Sequence, residues 1–174
     1  MKRMRLAVPA ALVAVAALVV VAGAPAKKPA LSATPVFKLN LKPSQEVPAI
    51  KGLKAGANGS VTFDLTRNAS GAITAGDVIF SFNYAFSGPA TVTGLHIHQA
   101  AKGVSGAIVV GAALSANDAA DTDGVGNITS VVTGTSPATL QAILDNPRNY
   151  YVNLHTSVYP NGAMREQMHN PKKG

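Results

Sequence analysis

Val78-Ile79-Phe80-Ser81-Phe82-Asn83-Tyr84-Ala85-Phe86 places a large apolar residue at every second position. Side chains two apart on a β-strand share a face, so Val78, Phe80, Phe82, Tyr84 and Phe86 point one way. Ser81 and Asn83 point the other. The pattern recurs upstream. Phe37, Leu39 and Leu41 oppose Lys38, Asn40 and Lys42, and Val61, Phe63 and Leu65 alternate with smaller or polar residues. Period two over such lengths predicts half-buried antiparallel strands. Further strands are expected at 91–98, 107–113, 126–133, 150–156 and 163–168. Turn-forming clusters separate them: Asn58-Gly59, 68–71, Ser87-Gly88-Pro89, 121–126 and Pro160-Asn161-Gly162. One helix interrupts. Ser136 is placed to cap it, Pro137 suits its first position, Leu140, Ile143 and Leu144 give it an apolar stripe, and Pro147 ends it. The expected fold is all-β: an antiparallel, Greek-key-like β-sandwich or barrel with one short helix as a plug over one end.

The chain of 174 residues opens on Lys2, Arg3 and Arg5, then an apolar run from Leu6 to Ala22, then Ala24-Pro25-Ala26. This is the pattern of a secretory signal peptide. Cleavage is expected after Ala26 rather than Ala24, which would leave Pro25 just past the cut. Pro9 breaks the apolar run, and the remainder is short for the about 30 Å of a bilayer core. The expected organisation is a signal peptide at 1–26, a flexible lead-in at 27–35, one domain at 36–168 and a disordered tail at 169–174. The product is expected to be exported, to the periplasm, the cell surface or the medium, with no membrane span after cleavage. The chain has no cysteine, so neither disulfides nor thiol chemistry are open to it. Three of its 15 basic residues and none of its eight acidic ones lie in the leader, which lowers the net charge from +7 to +4. Lys27, Lys28, Lys172 and Lys173 hold several of those positives at the two ends. No basic stripe crosses the domain, which argues against nucleic acid as a partner. No G-x-S-x-G elbow, phosphate loop or dinucleotide fingerprint appears.

Gly94-Leu95-His96-Ile97-His98 is the stretch with most chemistry. As a strand it sends Leu95 and Ile97 into the core and sets His96 and His98 side by side on the opposite face. Tyr151-Val152-Asn153-Leu154-His155 has the same form and adds a third imidazole. Three histidines with an open position are a metal arrangement; three histidines are also what a wet sheet face carries. If a metal is held, copper is favoured and zinc is second, because no thiolate or acidic ligand accompanies the trio. Asn153 shares a face with His155 and is a candidate to orient a ligand from behind. His169 is a further imidazole in the tail. Glu46 and Arg165 stand out among weakly charged strands. They are expected to pair with each other, since a lone buried charge is costly, or else Arg165 guides an anion toward the histidines. Asn117, Asp118, Asp121, Asp123 and Asn127 read as a solvated turn rather than a calcium loop. Asn58, Asn68 and Asn127 open N-x-[ST] sequons.

Several motifs recur in a familiar order. They run Leu41-Lys42-Pro43-Ser44-Gln45-Glu46-Val47-Pro48, a glycine-opened strand at Gly59, Gly94-Leu95-His96-Ile97-His98, the segment 103–110, and the helix. Tyr151-Val152-Asn153-Leu154-His155-Thr156 and Gly162-Ala163-Met164-Arg165-Glu166-Gln167 follow. The series resembles the CHRD domain, named for its occurrence in chordin and also found as single exported domains. The closing motif departs from the family's usual Gly-Glu-Ile-Arg-Gly-Gln: the first acid is missing and Glu166 replaces a glycine. A weaker likeness is to copper–zinc superoxide dismutase, whose Gly-x-x-His-x-His strand implies a copper site. The chain has no histidine between His98 and His155 for a bridging ligand and no cysteine pair, so a complete dismutase centre is not expected.

The resemblance implies an exported binding or structural module that meets a protein or a small ligand, with one metal ion held by His96, His98 and His155. The rival expectation is a copper-dependent redox or metal-handling protein. A weaker third is adhesion through loops such as 99–105. The more direct expectation is that the chain is not an enzyme.

Overall fold

In the computed structural model, which describes residues 34–115 and 122–173, the Val78–Phe86 stretch lies in a 14-residue strand. The leader and nearly all of the lead-in fall outside the described residues. So do Asn117, Asp118 and Asp121 of the oxygen-rich segment. The strands are β1 (Pro35–Leu41), β2 (Ala55–Arg67), β3 (Ile73–Phe86), β4 (Val92–Gln99), β5 (Ala107–Gly111) and β6 (Val125–Val132). After α1 (Pro137–Asp145) come β7 (Tyr150–Thr156), β8 (Met164–Gln167) and β9 (Lys172–Lys173). Two antiparallel sheets result. The first has the order β6-β3-β2-β1-β9 and the second β5-β4-β7-β8. The chain crosses between the sheets after β3, β5, β6 and β8. Phe80, Phe82 and Tyr84 bury inward from β3, and Leu95 and Ile97 meet them from β4. The tail, expected to fray, contributes β9 beside the start of β1.

Ser136 caps α1 through its Oγ, which accepts from the Thr139 N–H at 3.1 Å. Leu140 and Ile143 bury beneath the helix. Leu140 packs over Gly76 of β3, where a Cβ would stand 2.7 Å from its Cδ1. The strand expected to open at Gly59 begins instead at Ala55. Gly59 sits in mid-strand opposite Phe82, and a Cβ there would lie 2.1 Å from the Ser81 carbonyl oxygen and 2.8 Å from Phe82 Cδ1. The missing side chain is what lets the Phe82 ring lie over β2.

Register on the outer face of the first sheet sets two polar rows side by side. Asn40, Asn58, Asn83 and Asn127 form one row across β1, β2, β3 and β6, and Lys38, Ser60, Ser81 and Thr129 form the next. Two of the three sequons are therefore strand positions in these rows. The third, Asn68, closes the β2–β3 turn, where its Oδ1 accepts from the N–H groups of Ser70 and Ala72.

The two sheets join along one side. Lys42 and Arg165 exchange backbone hydrogen bonds of 3.2 and 3.3 Å, and the Glu166 carboxylate accepts from the Asn40 N–H. Glu166, the departure from the closing motif, thus covers an open donor at the β1 edge. No ladder joins β5 to β6 among the described residues, so the fold is a sandwich seamed on one side and not a closed barrel.

Gly59→Ala is expected to cost about 3 kcal/mol. Gly56→Ala three residues away, with nothing within 4 Å of its added Cβ, should stay within about 0.5 kcal/mol of the parent. Urea titration of the two variants checks the contrast.

Candidate metal centre

The second sheet turns its outer face to the histidines. Pairing sets Gly94 opposite His155, His96 opposite Asn153, and His98 opposite Tyr151. Asn153 in turn faces Arg165 on β8, and Tyr151 faces Gln167. An outer sheet face would ordinarily be wet, yet every residue of β7 is buried. Two loops cover it. Arg165 donates from Nε to the Gln45 carbonyl at 2.7 Å and from Nη1 to the Val104 carbonyl at 3.3 Å. Gln167 donates to the Ala100 carbonyl, and the Gly106 N–H donates to the Tyr151 hydroxyl. The 99–105 loop is therefore tied down over the site by hydrogen bonds.

His96, His98 and His155 converge, with one ring nitrogen from each lying within 4.8 Å of the others. His98 and His155 are each 7% exposed, and His96 is half-buried. Glycines make room for His96: its ring lies over Gly94, where a Cβ would stand 2.5 Å from its Cε1, and Gly111 flanks the other side. The Nδ1 atoms of His98 and His155 meet the carbonyls of Gly106 and Pro160 at 2.9 and 3.0 Å. A carbonyl only accepts, so each Nδ1 carries the proton, and each neutral ring turns a lone pair outward at Nε2. Those two Nε2 atoms face each other at 3.3 Å. Two nitrogens about 2.0–2.1 Å from one tetrahedral ion lie about 3.3–3.4 Å apart. The spacing is one that two metal ligands could take.

Electrostatics agree with neutral rings. Burial pulls His96 from 6.5 down to about 4, helped by His155 and then His98. Burial lowers His98 as well; the Gly106 carbonyl opposes the shift, and the nearby His155 and Arg165 reinforce it. His155 is lowered by burial against the pull of the Pro160 carbonyl. Neutral imidazole is the metal-binding form.

Tyr151 stacks on His98 with ring centroids 4.8 Å apart, and the Arg165 guanidinium lies 4.5 Å above the Tyr151 ring. Arg165 and Glu46 stand together, Nε to Oε2 at 3.9 Å. The separation is long for a hydrogen-bonded pair, and the carbonyls of Gln45 and Val104 take the closer contacts. Glu46 is consequently raised from 4.5 to about 7, because burial outweighs Arg165 and the Val47 N–H. Asn153 is fully buried, and its Oδ1, like Glu46 Oε1 and His96 Nδ1, has no hydrogen-bond partner. It lies between His96 and Arg165, and the groups bonded to the His98 and His155 rings are the Gly106 and Pro160 carbonyls. Sequence reasoning missed both, since a backbone acceptor has no residue-type signature. His169 is exposed and outside the trio. Of the oxygen-rich segment, Asp123 accepts from the Val125 N–H, while Asn127 belongs to β6.

The family model of the CHRD domain matches residues 37–168. The chain belongs to the CHRD domain family. No curated protein and no solved structure matches it, and nothing in the comparisons carries the likeness to copper–zinc superoxide dismutase. The CHRD domain match covers the whole site, from Glu46 to Gln167.

In metal-free protein, His96 takes a proton near 6.5 when unfolded and only near 4 when folded, so its contribution to stability is lost as pH falls through that window. Glu46 acts with the opposite sign between 4.5 and 7, where the folded carboxyl keeps a proton that the unfolded one has released. The two trends offset each other. A Glu46→Gln variant should expose the histidine trend, its Tm dropping steadily from pH 6.5 to pH 4; a level Tm across that range would contradict the assignment.

Proposed function

We propose that this chain is an exported CHRD-domain binding module that holds one metal ion, copper before zinc, through His96, His98 and His155. The observation that carries the reading is the pair of Nε2 lone pairs facing each other at 3.3 Å. Two neutral acceptors at that distance repel, and burial disfavours the proton that would relieve them; a cation between them turns the conflict into coordination. His96 supplies the third nitrogen by turning its ring in the space left by Gly94 and Gly111. The covering loops limit water and leave the covered sheet face as a rigid platform. Export rests on the leader pattern at 1–26.

A second reading is supported by the charge of Arg165, which reaches His98. There the copper centre is redox-active and Arg165 draws an anion toward it. The two readings differ in turnover and not in ligands.

The purified protein is expected to take up about one equivalent of copper per chain. His98→Ala and His155→Ala should each abolish uptake, and His96→Ala should weaken it on the order of tenfold or more. Calorimetric titration with copper, then zinc, measures this. Full uptake by both of the first two variants would place the ion elsewhere. Turnover of superoxide by the loaded protein would select the redox reading over holding alone.

A further inference from the structure

The turn after β7 and the segment after Glu46 line a cleft of about 250 Å³. Val47, Ile50, Val158 and Tyr159 give it apolar walls, and Gly162 lines it beside Glu46. Val158 and Val47 are 70% and 40% exposed, so bare hydrocarbon stands at the rim with no partner among the described residues. Glu46 is 7% exposed and its Oε1 has no hydrogen-bond partner, although Oε2 stands near Arg165. Gly162 stands against that oxygen and the Asn153 amide: a Cβ there would lie 2.4 Å from Asn153 Nδ2 and 2.9 Å from Oε1. A buried acceptor without a donor is destabilising, and a bound donor removes that penalty.

We propose that this cleft binds a primary alkylammonium group, with the charged head on Glu46 Oε1 and the aliphatic stem between Val47, Ile50 and Val158. An ammonium is donor-only and matches a carboxylate oxygen that lacks a donor. Its stem matches the apolar walls, and a chain of about five carbons fits the volume. A carboxylate or phosphate ligand would meet Glu46 as a like charge, and a purely apolar one would leave Oε1 unpaired. The same chemistry is offered by a free alkylamine and by a lysine side chain of a partner protein. The cleft does not depend on the metal reading, because none of the three histidines lines it.

Titration of the full chain with pentylamine, pentanol and a capped lysine at pH 8, followed by amide NMR, tests this. Saturable millimolar binding of pentylamine is expected, with shifts at Val158 and Gly162. Pentanol should bind on the order of tenfold more weakly, and Glu46→Gln should lose about the same factor. Val158→Arg, at an exposed position that leaves Glu46 in place, should also weaken pentylamine and so covers the case in which Glu46→Gln does not fold. Tighter binding of the capped lysine than of pentylamine assigns the cleft to a partner protein, and the reverse order to a free amine. Equal affinity for pentanol and pentylamine, or no saturable binding of either amine, overturns the proposal.

Discussion

The burial of one guanidinium organises the site. Arg165 leaves water at the seam of the two sheets and has to recover hydrogen bonds from whatever lies within reach. It finds the Gln45 and Val104 carbonyls, the Tyr151 ring and, more distantly, Glu46. Each of the two carbonyls belongs to a loop, and holding both draws the loops over a sheet face that would otherwise be wet. His98 and His155 are dry as a consequence, and their tautomers are set by the Gly106 carbonyl at the end of that cover and the Pro160 carbonyl of the β7–β8 turn. Neutral rings, lowered pKa values and opposed lone pairs all follow from that dry cover.

The fold was largely legible because the large apolar residues keep strict period two from Val78 to Tyr84 and again from Leu95 to Ile97. The helix was legible because Ser136, Pro137 and Pro147 punctuate it on both sides. Glycines misled where their role was steric. Gly59 reads as a turn residue next to Asn58, yet it is a mid-strand position that an aromatic ring covers. β9 escaped notice since two lysines have no apolar pattern and pair only because the β1 edge is free at its start.

The site was legible in part. Period two alone set His96 and His98 on one face, and the matching form of 151–155 suggested His155 as their neighbour. The cover was not legible. A loop's path over a sheet depends on hydrogen bonds to backbone oxygens, and those are the same for every residue type. For the same reason the Glu46–Arg165 pairing could be anticipated from the cost of lone buried charge, whereas its looseness could not: two carbonyls outcompete the carboxylate for the guanidinium's best directions. Glu166 is the reverse case, an apparent flaw in the closing motif that finds its use only when β8 meets β1.

The polar rows on the first sheet have a consequence for how the chain finds its alignment. Asparagine against asparagine and hydroxyl against hydroxyl make those two outer rows only weakly selective against a slip of two residues. The inner surface is stricter, because a two-residue slip would carry Ala57 or Val61 into the place of Gly59. Their side chains would collide with the Ser81 carbonyl and the Phe82 ring. A missing methyl group thus acts as a key that admits one alignment of β2 on β3, and the surface above it is left free to vary.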